Sequence, residues 1–261
     1  MENVRTYGKP PFRVAVVHGG PGAAGEMAPV ARELASGRGV LEPLQTASSL
    51  EAQVEELRAV LEKHADLPVA LVGFSWGAWL SFILAARYPA MVRKLVLVGS
   101  GPFEEEYAAG IHRTRLSRLS PEERGEVELL QEAMDGPVFE KRNAAFARLG
   151  AVLSKADAYD PITDEPCSVD HDVDIFKRVW SEAAGLRKGG KLLELSKYIE
   201  CPVVAIHGDC DPHPAGGVEK PLSAVLNDFR FILLENCGHK PWLERQARTE
   251  FYRVLLDVVG R

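Results

Sequence analysis

Cysteine is scarce in this 261-residue chain. Cys167, Cys201, Cys210 and Cys237 are too few and too scattered to make a disulfide framework. Reduced thiols in a cytoplasmic protein are the expectation. Long apolar runs are missing as well: the stretches 14–17 and 95–98 are far too short to cross a bilayer. Residues 1–11 lack the apolar core of a signal peptide. There is no excess of positive charge, with 31 Lys and Arg against 37 Asp and Glu, a net charge of −6. That balance gives no electrostatic reason to expect nucleic acid as a partner. Repeats and low-complexity segments are absent. What remains is 46% hydrophobic and 26% charged, a globular composition with enough chain for a sizeable core.

Short β-branched runs alternate with helical stretches over the first hundred residues. Segments 13–17, 39–44, 68–73 and 93–99 read as strands, and 25–36, 49–64 and 76–88 as helices. In the second helix Leu50, Val54, Leu57, Val60 and Leu61 recur at helical spacing, with Ser48 or Ser49 as N-cap. This alternation predicts an α/β fold, a mostly parallel sheet covered by helices on both faces. It stops at about residue 102. Helices are predicted over 104–119, 121–134, 138–156, 172–186 and 191–198, with no strand among them. Ser120-Pro121-Glu122-Glu123 is a strong helix start. Strands resume at 203–207 and 230–235, and an amphipathic helix over 241–259 closes the chain, with Phe251, Val254, Leu255 and Val258 on one face. The division is a core of 1–101 and 200–261 interrupted by a helical block of 102–199. That block holds 19 acidic and 14 basic residues and so most of the net negative charge.

Gly73-Phe74-Ser75-Trp76-Gly77 follows an apolar run and opens a helix. A nucleophile on a sharp strand-to-helix turn needs small neighbours, because its own backbone is strained. Ser75 is therefore the candidate nucleophile. His18-Gly19-Gly20-Pro21-Gly22 also follows a strand. Glycines there let backbone N–H groups face a developing oxyanion; the candidates are those of Gly20 and Trp76, with Gly19 as a substitute for Gly20. A phosphate loop is the other reading, but neither dinucleotide-binding nor Walker spacing is present. His18 reads as a residue that shapes this loop.

The strand at 203–207 runs into Gly208-Asp209-Cys210-Asp211, and the next into Cys237-Gly238-His239. A carboxylate and a histidine at the carboxyl ends of successive strands can meet above the elbow. His239 would take the Ser75 proton, and the carboxylate would fix its tautomer. Asp211 and Asp209 compete for the second role, with Asp209 alternatively shaping the turn. The order Ser75, Asp211, His239 is that of triads on this kind of sheet. A metal site from Cys210, His213, Cys237 and His239 is disfavoured by the tight Cys-x-His spacing and by the need for His239 as base. Neither metal nor cofactor is called for.

These four motifs, with Gly238-His-Lys-Pro-Trp-Leu-Glu244 completing the last, together resemble the α/β-hydrolase family, over both arms of the core. The resemblance implies Asp211 as the acid of a Gly-x-x-Asp turn, His239 as the base of a Gly-His-x-Pro turn, and a helical cap over 102–199. His18-Gly-Gly-Pro-Gly22 with Ser75-Trp76-Gly77 is similar to the proline iminopeptidase branch. About 12 residues precede the first core strand, too few for that family's opening pair of strands, so a smaller sheet is expected. The expected activity is hydrolysis of a small-molecule ester or amide. Alternatives are an aminopeptidase, a ligand-binding protein with little turnover, and a carbon–carbon hydrolase. An aminopeptidase would need a carboxylate for the substrate amine; Glu182 beside Trp180, and Glu104–Glu106, are the candidates.

Overall fold

The computed structural model describes residues 3–162 and 169–260, so Cys167 lies outside the described residues. In chain order the strands are β1 (Val4–Tyr7), β2 (Phe12–Val17), β3 (Ala23–Ala24), β4 (Gly39–Pro43), β5 (Val69–Phe74), β6 (Val92–Val98), β7 (Asp170–His171), β8 (Val203–Gly208) and β9 (Phe229–Leu234). The helices are α1 (Ala28–Leu34), α2 (Leu50–His64), α3 (Trp76–Arg87), α4 (Glu105–Ala108), α5 (Ile111–Ser117), α6 (Pro121–Ala133), α7 (Phe139–Asp157), α8 (Val173–Lys188), α9 (Lys191–Glu194), α10 (Gly216–Val225) and α11 (Arg248–Gly260).

Seven strands form one sheet in the order β1-β4-β2-β5-β6-β8-β9, parallel throughout except for the β1–β4 pair. Alternation along each strand separates two cores. Ala15, Val17, Leu71 and Leu97 face α2, α3 and α10, while Val14, Val16, Val72 and Val98 face α1 and α11. The predicted apolar faces of α2 and α11 are buried there, each large side chain contributing about 1.5–3 kcal/mol relative to exposure. Ser49 caps α2, its hydroxyl accepting from Ala52 N–H, and Ser120 and Glu123 form a capping box on α6.

Three details differ from the sequence reading. One strand that the sequence pattern did not reveal, β1, precedes β2 and pairs antiparallel with β4, with Tyr7 donating to Glu42 at 2.6 Å; among the described residues it stands alone, so the opening pair of strands is absent as expected. The helix expected over 104–119 is divided into α4 and α5, with Gly110 between them. Among the described residues, the segment between β6 and β8 contains one strand, β7, whose two residues pair with β3. Among the described residues no helix is long and apolar enough to cross a membrane.

Candidate active site

The turn from β5 into α3 holds Ser75 at φ 52° and ψ −113°, a conformation costly for a residue with a Cβ. Two packing constraints enforce it. A Cβ on Gly73 would sit 2.2 Å from the Gly77 carbonyl oxygen, and one on Gly77 would sit 2.4 Å from that of His18. The helix start is thus pressed against the end of β2, and Gly20 and Trp76 come to line one cavity with Ser75. Gly20 has φ +47°. His18 is wholly buried beneath this loop: Gln45 N–H donates to its Nε2 at 3.1 Å, and its Nδ1 donates to the Gly19 carbonyl at 2.7 Å. Burial pushes its pKa down. It is a neutral clamp on the glycine loop, as its place in the sequence suggested.

Ser75 Oγ lies 3.1 Å from His239 Nε2, and His239 Nδ1 lies 2.7 Å from Asp211 Oδ2. A carboxylate only accepts, so Nδ1 carries the proton and the Nε2 lone pair faces the serine hydroxyl. Burial opposes charge on Asp211, but His239, His213 and His207 around it prevail and hold the carboxyl well below the usual range. Asp209 is not brought to His239. Its carboxylate accepts from Cys237 N–H at 3.0 Å and braces the turn that includes Asn236, at φ 52°.

The loop carrying His239 is held from below and from the side. Phe74 lies 4.8 Å from the imidazole, centroid to centroid. His239 N–H donates to the Asp157 carbonyl at 2.9 Å. The carboxylate of Glu244, buried, accepts from Gly238, Tyr159 and Asp160 N–H at 3.0, 2.9 and 2.8 Å. The end of α7 is therefore stitched to the loop that carries His239.

The sequence reading weighs His213 only as a metal ligand and gives Glu26, Arg115, Asp157 and Lys240 no role. His213 N–H and Nδ1 both approach Asp211 Oδ1, at 2.8 and 2.9 Å. Burial pushes His213 down to about 4, so it is neutral. Lys240 pairs with Glu26 at 2.6 Å, and Arg115 makes a two-pronged pair with Asp157 at 2.7 and 2.6 Å. All five line the cavity, whose volume is about 480 Å³. For two of them the sequence hint is adjacency, since Lys240 follows His239 and His213 lies two residues beyond Asp211.

Other candidates resolve differently. Glu182 does not line the cavity; its carboxylate accepts from Leu50 N–H at 2.7 Å and caps α2. Glu105 pairs with Arg187 on the surface. Trp180 lines the cavity, whereas Trp79, Phe103 and Trp242 are buried core. Cys210 and Cys237 do not join Asp211, His213 and His239 in the cluster of potential metal-ligating atoms found among the described residues. Hydrogen bonding accounts for that cluster, each imidazole Nδ1 meeting its own oxygen of Asp211. Burial pushes both thiols up, so they are protonated at neutral pH.

A family model described as the alpha/beta hydrolase family matches residues 14–254. A proline iminopeptidase of Lactobacillus delbrueckii subsp. lactis is 24% identical, over 90% of this chain and 86% of its own. A pimeloyl-[acyl-carrier protein] methyl ester esterase of Chromobacterium violaceum is 25% identical, over 76% of this chain and 72% of its own. The crystal structure of VinJ superposes with a TM-score of 0.70 at 20% identity, covering 98% of this chain and 94% of that one, a likeness of fold. The relatives support a hydrolase. The mostly parallel seven-stranded sheet, the turn at Ser75 and the match over nearly the whole chain converge: this protein belongs to the alpha/beta hydrolase family.

Proposed function

We propose that the chain is a serine hydrolase that cleaves a small-molecule ester or amide by acyl transfer through Ser75. The observation that carries this reading is the linear array Ser75 Oγ, His239, Asp211, with links of 3.1 and 2.7 Å on a strained turn. His239 takes the hydroxyl proton as Ser75 attacks the carbonyl, and Asp211 stabilises the imidazolium. The N–H groups of Gly20 and Trp76 receive the oxyanion. His239 then gives its proton to the leaving group and later activates the water that clears the acyl-enzyme. The helical segment 102–199 acts as a cap: α7 and α8 supply one wall of the cavity.

Ester hydrolysis is favoured over aminopeptidase action by the charge inside the cavity. Among the described residues its two lining carboxylates, Glu26 and Asp157, are each paired with a cation of the chain, Lys240 and Arg115. A substrate ammonium would have to displace one of them, which opposes binding in a desolvated pocket. The test is labelling by a fluorophosphonate, read by mass spectrometry, beside turnover of aryl esters and aminoacyl anilides. Stoichiometric modification at Ser75, lost in Ser75→Ala with the fold intact, and faster turnover of esters are expected. Labelling elsewhere, or none, would overturn the nucleophile; anilides turned over faster, and only with a free amine, would make the protein an aminopeptidase.

A further inference from the structure

The cavity beside Ser75 has two chemically different ends, each fastened to a different part of the catalytic apparatus. One end is aromatic. Phe146 and Phe176 lie 4.8 Å apart, and Phe176 and Trp180 lie 6.4 Å apart with nearly parallel rings. This row is tied to the glycine loop: Phe146 meets His171 edge-on at 5.8 Å, His171 pairs with Ala23, and Asp172 N–H donates to the Gly22 carbonyl at 2.9 Å. The other end is polar and tied to His239. His213 stacks on that imidazole at 4.4 Å, Lys240 follows it in the chain, and the Asp157 carbonyl accepts from its N–H. Lys240 also donates to Ser154 at 3.2 Å, and Arg115 stands on Asp157.

The chemistry gives these ends different occupants. In acyl transfer the Ser75 Oγ–carbon bond forms and the bond from carbon to the leaving heteroatom breaks. The serine proton passes through His239 Nε2 to that heteroatom, so the leaving group must lie on the His239 side. The oxyanion lies against Gly20 and Trp76, and the acyl substituent takes the remaining direction, along the aromatic row. We propose that the preferred substrate carries a bulky apolar acyl group, an aryl or medium-chain alkyl, seated against Phe146, Phe176 and Trp180, and a polar leaving group facing Lys240, Ser154 and Arg115. This assignment rests on Ser75 being the nucleophile. It selects by size and polarity on opposite sides of one scissile bond, which neither an acetyl-ester hydrolase nor a triglyceride-like binding mode would do.

The test is kcat/KM on two ester series. With p-nitrophenol fixed, octanoyl and phenylacetyl esters should exceed acetyl by at least about tenfold, because burying methylenes or a ring favours the bound transition state. With octanoyl fixed, the glycerol monoester should be cleaved faster than the hexyl ester. Phe176→Ala should lower the ratio of the octanoyl to the acetyl value about fivefold or more. Leu153→Ala, at a half-buried position on the same wall, is the alternative variant should Phe176→Ala not fold. A flat or falling acyl series in protein labelled stoichiometrically at Ser75, or a preference for the hexyl ester, would overturn the assignment while the nucleophile stood. No reaction at Ser75 at all would remove the nucleophile and the assignment with it.

Discussion

The imidazole of His213 lies on that of His239, centroids 4.4 Å apart and planes within 26°, and each turns its Nδ1 toward a different oxygen of Asp211. One carboxylate thus serves two histidines with both oxygens committed. His207 stands behind them, donating from Nε2 to the His213 carbonyl at 2.8 Å. Asp211 is fixed in rotation by this arrangement, so the oxygen offered to His239 does not depend on substrate being bound.

Asp211→Asn should lower kcat by roughly 10²–10⁴, because the amide can turn an N–H toward Nδ1 and impose the wrong tautomer. Asp209→Asn should act mainly on the turn, with a far smaller loss, since its carboxylate meets Cys237 N–H and not His239. Steady-state kinetics on both variants decide between them; a larger loss in Asp209→Asn would exchange their roles.

His213 also sets a dependence of stability on pH. Its ordinary value of 6.5 is pushed down to about 4 by burial. Between those values the unfolded chain takes up a proton that the folded chain refuses, so stability present above pH 6.5 is lost as pH falls toward 4. The full effect of this one group is about 3 kcal/mol. Urea unfolding at several pH values should show the decline, and His213→Gln should flatten it. An unchanged slope in the variant would contradict the assignment.

Glycine at position 238 is required by contact. An added Cβ would lie 2.3 Å from the Asp157 carbonyl oxygen and 2.5 Å from Glu244 Oε1. Gly238→Ala should cost about 1–3 kcal/mol of stability. Because His239 is the next residue, it should also lower kcat in the fraction that remains folded. Gly125→Ala in α6 is the contrast: its Cβ meets nothing within 4 Å, and it should add about 0.5–1 kcal/mol of stability with turnover unchanged. Thermal melts beside active-site titration measure both.

Glu182→Gln should weaken the α2 cap by about 0.5–1 kcal/mol, through loss of a carboxylate at a helix N-terminus. Its kinetic constants should match those of the parent on both esters and free-amine anilides, because the side chain faces Leu50 N–H. A selective loss on free-amine substrates would return Glu182 to the pocket.

Much of the site was legible because its constraints are local. The glycines around Ser75 are demanded by contacts within one turn, and Asp211 and His239 end strands whose apolar runs are plain. The edge strand β1 was not legible, since Val4-Arg5-Thr6-Tyr7 has one strongly apolar residue and gains its pairing from β4, some 35 residues on. Helix α10 went unread because Gly216, Gly217 and Pro221 obscure the buried pair Val218 and Leu222. The Glu26–Lys240 and Arg115–Asp157 pairs join distant segments, and charge alone does not say which partners meet. The partner of Glu182, Leu50 N–H, was hidden for the same reason.

The stitching of the α7 exit to the loop that carries His239 has a practical side for anyone recombining this scaffold. Residues 157–160 belong, by their hydrogen bonds to His239, Glu244 and Arg245, to the loop that carries His239 more than to the helix that precedes them. A chimera that imports a foreign helical block cut at residue 199 would bring in a new neighbour for His239 and lose alignment of the base along with the old pocket. A junction placed before Asp157, with the host's 157–162 retained, would exchange the substrate-facing wall and leave the proton-transfer geometry with its original support.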